Sequence, residues 1–179
     1  MTRRATPCRL YPNAAQEQTL AALLEAHRHL YNGWLDKCRL AHEAGHSSYS
    51  PKECVAWFRR ACRRHPPWAQ LEPHSVWATL RRASRVYRLF LQRCGAGRRS
   101  RYPSLESRLS FTRLEFNGQD GVRLAGRQLE IQGVGAVRVP LRRPVPGVLV
   151  ALTLKREEDK WYAFFHRRCC RPAVSPWGL

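Results

Sequence analysis

Arginine is the residue type whose number and spacing most clearly point to chemistry in this sequence. The stretch between Cys54 and Tyr102 holds twelve arginines and a single acid, Glu72. Solvated helix faces normally mix both signs and gain ion pairs between neighbouring turns. A segment with charges of one sign therefore indicates a partner of opposite charge that the chain itself does not supply.

The whole chain of 179 residues shares this excess of positive charge. It carries 32 Lys and Arg against 13 Asp and Glu, a formal net charge of +19. Such an excess repels itself in the compact state and is usually kept because a polyanion neutralises it, which favours nucleic acid over a membrane as the partner. Of the 32 basic residues 28 are Arg, which can record a GC-rich genome, so the sign of the charge is the more informative feature.

The carboxylates and histidines do not show the pattern that cutting a phosphodiester bond requires. Two-metal cleavage needs clustered carboxylates that hold Mg²⁺ near the phosphate. The densest acidic group, Glu157 to Asp159, is interpreted as a hairpin turn between two strands. His42 and His46 are four residues apart, but Gly45 marks the helix end between them. We therefore predict no catalytic residues, no metal site, no cofactor and no enzymatic activity.

Cysteine usage and apolar runs place the chain among cytoplasmic proteins. The seven cysteines include no C-x-x-C pair, so neither a disulfide framework nor a zinc site is indicated. No run approaches the roughly 20 apolar residues that span a bilayer, and the N-terminus lacks the apolar core of a signal peptide. We expect a cytoplasmic protein that associates with the nucleoid when bound to DNA.

The pattern along the chain predicts one strand, three helices and about six further strands. Capping boxes, in which two residues three apart bond each other's backbone N–H, start the first two helices at Asn13 and Ser50. From about Leu109 short β-type segments follow one another, separated by Gly or Pro. The predicted elements before this point are a strand at 5–11 and helices at 13–45, 50–65 and 74–94.

The third helix combines an apolar stripe with a cationic side. Arg81, Arg85 and Arg88 recur at i, i+4 and i+7 beside the stripe. We predict that Arg81, Arg82, Arg85 and Arg88 contact phosphates. A flexible basic loop after Gly95 adds three more candidates, which are Arg98, Arg99 and Arg101.

Strands near both ends of the chain enclose the helices, which predicts an α+β fold. The N-terminal strand must pair somewhere, and the C-terminal strands offer the available sheet. We therefore expect a small antiparallel β-barrel with an inserted three-helix domain. The predicted division gives the barrel residues 1–12 and 106–166, the helical domain residues 13–105, and a divergent tail residues 167–179.

Several quoted segments, in order, resemble the N-terminal part of the transposon-encoded OrfB/TnpB proteins. The similarity begins with RLYPNAAQEQTLAALLEAHRHLYNGWLDKCRLAHEAG and continues through PWAQLEPHSVWATLRRASRVYRLFLQR, VGAVRVPLRRPVPG and VALTLKREEDKWYAFF. It covers about residues 5–165. It rests on the order and spacing of the motifs together, because none of them is highly specific alone.

This resemblance implies an RNA-guided, magnesium-dependent DNA nuclease ancestral to the type V CRISPR effectors. In that family a barrel-like wedge domain carries an inserted helical recognition domain, and a RuvC-like nuclease domain follows. Guide RNA and target DNA are the implied partners. Tyr49 and Asn117 fall in regions that lie near the short duplex motif beside the target, so both are candidate contacts. Trp77 and Ser84 depart from the residues common in the family, which weakens any inherited sequence readout.

The segment HRRCCRPAVSPWGL stands where the family continues into its first nuclease strand. We interpret it as the result of a frameshift just after Phe165, so that the nuclease domain is absent. The expected function is that of a truncated, transposase-associated protein that binds guide RNA, target DNA or both without cleaving them. The alternatives are an RNA-guided endonuclease completed by a frameshifted or separate nuclease segment in trans, and a non-functional relic of an insertion-sequence gene.

Overall fold

A computed structural model describes residues 5–46, 50–118, 121–141 and 148–168 of the chain, and the side chains of residues 7–166 within those ranges. Its order of elements confirms the predicted α+β fold. The elements are β1 (Ala5–Leu10), α1 (Ala14–Glu43), α2 (Pro51–Arg64), a 3₁₀ helix (Pro66–Gln70), α3 (Pro73–Gly95), β2 (Arg113–Asn117), β3 (Val122–Ala125), β4 (Gln128–Ile131), β5 (Gly135–Arg138), β6 (Val148–Glu157) and β7 (Lys160–Arg168).

Both predicted capping boxes form and start α1 and α2. The Asn13 Oδ1 atom accepts from the Gln16 N–H at 2.9 Å, and the Gln16 Oε1 atom accepts from the Asn13 N–H at 3.0 Å. Ser50 and Glu53 exchange the equivalent bonds at the start of α2, at 3.3 and 2.6 Å. These side chains satisfy backbone donors that a helix end leaves unpaired, which fixes where each helix begins.

Glu72 caps α3, one residue before the helix and two before the predicted start. Its carboxylate accepts from the backbone N–H of His74 at 2.8 Å and of Ser75 at 2.6 Å. The side chain is buried and packs against Gly121, where an added Cβ would lie 2.5 Å from the Glu72 Cγ atom. Gly121 also has a φ of +78°, so this close approach between the helical block and the strands requires glycine.

The strands form two antiparallel sheets, with the order β1-β7-β6-β2 in one and β3-β4-β5 in the other. Leu10 of β1 lies opposite Trp161 of β7, which confirms that the N-terminal strand pairs with the C-terminal ones. In the described residues the sheets are joined by an isolated bridge, in which the Tyr11 N–H donates to the Arg138 carbonyl at 3.1 Å.

The predicted closed β-barrel is not found in the described part of the chain. After the Tyr11 bridge comes Pro12, which has no backbone N–H to donate, and Asn13 already caps α1. The chain therefore leaves the sheet after a single bridge, before a ladder between β1 and β5 can form.

The helical core lies between α1 and α3, and α3 also packs against β2. The largest fully buried side chains include Trp34 of α1, Leu80 of α3 and Leu114 of β2. Burial of one such side chain stabilises the fold by about 1.5–3 kcal/mol. This packing fixes the side of α3 that faces inward, and with it the side that faces solvent.

His27 is a buried polar group in the α1–α3 interface. Its Nε2 atom lies 3.2 Å from the Ser75 hydroxyl, and its Nδ1 atom lies 2.9 Å from the Thr79 hydroxyl. The Ser75 hydroxyl donates to the Glu72 carbonyl at 2.8 Å, so it accepts from His27, whose Nε2 carries the proton. Nδ1 then accepts from Thr79, and the ring is neutral. Burial, with a smaller contribution from the nearby Arg82 charge, lowers the pKa of His27 to about 4.

This arrangement predicts a loss of stability in weak acid. An unfolded histidine titrates near pH 6.5 and the folded one near 4, so the unfolded chain binds more protons between these values. The contribution of His27 is complete above about pH 6.5 and falls by about 3 kcal/mol as the pH drops to 4 and below. Urea unfolding measured from pH 7 to pH 4 checks it. His27→Gln, which cannot titrate, should lose distinctly less stability over this range; identical pH profiles would contradict the assignment.

Candidate nucleic-acid interface

Arg81, Arg85 and Arg88 form the cationic face of α3, as their spacing predicts. All three side chains are exposed. The Arg81 Nε atom donates to the Trp77 carbonyl at 3.3 Å on the same helix. Within the described residues none of the three forms an ion pair with a carboxylate, although seven pairs of an arginine or lysine with a carboxylate occur elsewhere in them. Their charges are therefore available to an external anion.

These three arginines line a groove of about 810 Å³ between the start of α2 and α3, and we call it the α3 groove. The buried side chains of Trp34 and Cys38 of α1 and of Leu80 and Tyr87 of α3 form the apolar floor of the groove. The groove thus combines apolar and aromatic side chains with three guanidinium groups. Phosphates suit the guanidinium groups, and a sugar or base surface suits the half-buried Trp77 ring, which also lines the groove.

Aromatic contacts hold α2 against α1 and α3 beside this groove. The ring of Phe58 packs against Trp77 of α3 at 5.9 Å between centroids, and Trp57 packs against Trp34 of α1 at 5.4 Å. Gly33 of α1 admits the Trp57 ring, because an added Cβ would come within 3.2 Å of it. A glycine in mid-helix costs about 1 kcal/mol relative to alanine, and close packing of the ring offsets that cost here.

Arg82 is not brought together with the other three arginines. It is half-buried, and its guanidinium carbon lies 4.4 Å from the centre of the Phe111 ring and 5.3 Å from that of Tyr31. Burial lowers the pKa of Arg82, with a smaller effect from Arg113. One residue along a helix turns the side chain by about 100°, so Arg82 points towards α1 and the segment just before β2, while Arg81 points to solvent. The structure gives Arg82 a packing role that the sequence analysis did not foresee.

The basic loop after α3 places Arg98, Arg99 and Arg101 at the surface, outside the α3 groove. Gly97, with a φ of +70°, ends the helix, and the Arg98 N–H donates back to the Arg93 carbonyl at 3.0 Å. Nothing in the described residues joins these three arginines to the cationic face of α3.

The other two sequence candidates lie apart from the cationic face. Asn117 is the last residue of β2, half-buried and opposite Ala151 of β6. It is followed by Gly118, where an added Cβ would lie 2.2 Å from the Leu149 carbonyl oxygen. Tyr49 lies outside the described residues.

Asn32 is a positioning residue that the sequence analysis missed. Its Oδ1 atom accepts from the Glu106 N–H at 2.8 Å, and its Nδ2 atom donates to the Glu106 carbonyl at 2.8 Å. The Tyr102 hydroxyl adds a bond to the Leu35 carbonyl at 2.8 Å. These bonds tie the segment after the basic loop to α1. The Tyr-Asn pair in the quoted motif was the available signal, but it does not indicate the partner.

The acidic group at 157–159 forms the predicted hairpin turn. Glu158 and Asp159 have positive φ values of 45° and 61° between β6 and β7. The Glu157 carboxylate pairs with Lys155 and the Asp159 carboxylate with Arg156, each at 2.6 Å. Across the described ranges no three His, Cys, Asp or Glu side chains cluster closely enough to hold a metal ion. A helix of sufficient length and apolarity to cross a bilayer is likewise absent from the described elements.

Comparison with known families bears on the first part of the chain. Residues 1–47 match the family model HTH_OrfB_IS605, described as a helix-turn-helix domain. This segment is therefore similar to the N-terminal domain of the IS605 OrfB family. No curated protein matches the chain. Within the matched OrfB segment the described residues hold β1 and the single 30-residue helix α1, and the second helix begins at Pro51 beyond it. Helices α2 and α3 therefore lie outside the matched segment, and α3 carries the cationic face.

Alanine substitution of Arg82 and of Arg85, which lie on the same helix, should affect two different properties, stability and nucleic-acid affinity. Arg82→Ala removes the cover over Phe111 and Tyr31, so we expect a loss of about 1–2 kcal/mol of stability and little change in nucleic-acid affinity. Arg85→Ala should change stability by less than about 0.5 kcal/mol and lower affinity. Urea unfolding and fluorescence anisotropy with labelled DNA measure the two effects. Equal effects of both variants on binding would contradict the distinction.

Proposed function

We propose that this OrfB-type chain is a transposon-associated DNA-binding protein that holds phosphates on the cationic face of α3. The observation that carries the proposal is the row of Arg81, Arg85 and Arg88, exposed along one groove without ion-paired carboxylates in the described residues. The family match over residues 1–47 supports the association with insertion sequences and with DNA.

Counterion release supplies the affinity in this proposal. Each phosphate that an arginine neutralises frees condensed cations from the duplex, and affinity falls as the salt concentration rises. The formal charge of +19 adds long-range attraction and speeds encounter. The half-buried ring of Trp77 in the groove adds a contact that does not depend on base sequence.

We propose in addition that the bound nucleic acid includes a guide RNA and that the chain does not cut. The resemblance to OrfB/TnpB proteins is the basis for the guide. Pairing of β1 with β7, with the helices between them in sequence, agrees with a wedge domain at 1–12 and 106–166 and a recognition domain at 13–105. The two sheets would then correspond to the wedge. A nuclease segment supplied in trans is the arrangement in which the same chain would take part in cleavage.

A triple substitution tests the site. Arg81→Ala, Arg85→Ala and Arg88→Ala together should weaken binding to duplex DNA and reduce the slope of log affinity against log salt by up to about 2.7, at about 0.9 for each phosphate contact. The matched control is Arg123→Ala, Arg127→Ala and Arg138→Ala, which removes three exposed charges from the β3–β4–β5 sheet. Fluorescence anisotropy titrations at several salt concentrations give both slopes.

The control separates a local contact from a general charge effect. Equal losses of slope in the two triple variants would contradict binding at α3, and a flat salt response of the unmodified protein would contradict nucleic-acid binding altogether. The same titrations with single-stranded RNA address the guide. Release of cut DNA by the purified chain with Mg²⁺ would contradict binding without cleavage.

A further inference from the structure

A second groove lies on the other side of α2, bounded by α1, α2 and the 3₁₀ helix. It has a volume of about 590 Å³, and we call it the α2 groove. Trp57 and Trp68 line it together with Arg60, Arg64 and His65. The candidates from the sequence analysis do not include any of these five residues. The α2 groove thus combines aromatic rings with cations, as the α3 groove does. The two grooves lie on opposite sides of α2.

The rings of His65 and Trp68 are already stacked at the edge of this groove. Their centroids are 4.5 Å apart with an angle of 29° between the planes. Two prolines at 66 and 67 begin the 3₁₀ helix, and the Trp68 N–H donates to the His65 carbonyl at 3.0 Å. The fixed φ of proline makes this turn rigid, so the ring pair is held in position. His65 is exposed, which leaves the outer face of its ring open to a further planar group.

Two cations stand next to the stacked rings. Arg60 and Arg64 are one helical turn apart on α2, are exposed, and have no carboxylate partner among the described residues. The carboxylate that lines the same groove, Asp36, is held by Arg39 at 2.6 Å. The groove therefore presents positive charge to any ligand that reaches the ring pair.

We propose that the α2 groove binds an unpaired nucleobase of single-stranded nucleic acid, which stacks on the His65 ring while its flanking phosphates contact Arg60 and Arg64. An open ring face beside a pair of free guanidinium groups suits a single strand, whose bases are available for stacking. A duplex keeps its bases inside and offers only phosphates. An acidic peptide would contact the two arginines but would have no use for the exposed ring.

This site extends the proposed function from duplex DNA to single-stranded nucleic acid. Trp57 lines the α2 groove, and its neighbours Cys54 and Val55 line the α3 groove, so α2 forms a wall between the two. The proposal rests on the proposed function only in that the chain binds nucleic acid. A protein that holds duplex phosphates on one side of α2 and an unpaired base on the other is suited to a junction between double and single strands.

Charge-matched variants of α2 test the phosphate contacts. Arg60→Ala with Arg64→Ala removes two charges inside the groove, while Arg59→Ala with Arg63→Ala removes two exposed charges of the same helix that line neither groove. With a short labelled oligothymidylate, the first pair should lower affinity about tenfold more than the second. With a blunt duplex of the same length, the two pairs should have similar effects. Equal losses on the single strand would overturn the proposal.

Ring variants test the stacking itself. His65→Ala should lower the affinity for oligothymidylate about tenfold, His65→Phe should keep it because the planar ring remains, and an abasic strand should bind both variants alike. Circular dichroism spectra that match those of the unmodified protein confirm that each variant is folded. Unchanged affinity of His65→Ala for oligothymidylate would overturn the site.

The two proposals can fail separately. If the triple variant of Arg81, Arg85 and Arg88 weakens duplex binding while the His65 and Arg60/Arg64 variants behave like their controls, the proposed function stands and the stacking site is wrong. If the unmodified protein binds neither duplex nor oligothymidylate, both proposals are wrong.

Discussion

The arrangement of charges on this protein depends on the packing of α3 between α1 and β2. That packing buries Val76, Leu80 and Ala83 almost completely and leaves the opposite side of the helix in water. Because side chains of a helix are fixed relative to one another, burial of one stripe decides where Arg81 and Arg85 point. The neutral His27, bonded to two hydroxyls of α3, and the Glu72 cap at its start hold the same helix in register. The cationic face is thus a consequence of the core.

The second helix has a different role, because it packs through a few large rings. The half-buried rings of Trp57 and Phe58 contact Trp34 of α1 and Trp77 of α3. The fully buried residues of α2 are small ones, Cys54 and Ala61. The large rings fill the contacts of α2 with α1 and α3, and their size keeps the helix axes apart on either side of each contact. Open space therefore remains on both sides of α2, and both grooves contain cations. The placement of cations and aromatic rings along the two grooves follows from this arrangement of helices.

The features that were predicted correctly from the sequence depend on interactions between residues close together in the chain. A capping box involves residues three apart, and the spacing of Arg81, Arg85 and Arg88 is a property of one helix, so both are visible without a fold. The same holds for the hairpin turn at 157–159, although the ion pairs of Glu157 and Asp159 there add detail. The family match over residues 1–47 agrees with the motif that begins RLYPN.

The sequence by itself determined the helices, the strands, the excess of arginine and the spacing of the cationic face, because each depends on residues close together in the chain. Only the tertiary structure decided that Arg82 covers Phe111, that Asn32 holds Glu106, and that the sheets do not close into a barrel in the described residues. It also decided that α1 closes one side of the groove that His65, Trp68 and Arg60 line. These outcomes depend on which distant surfaces meet and on how much space their side chains leave, and a periodic pattern carries no information about either.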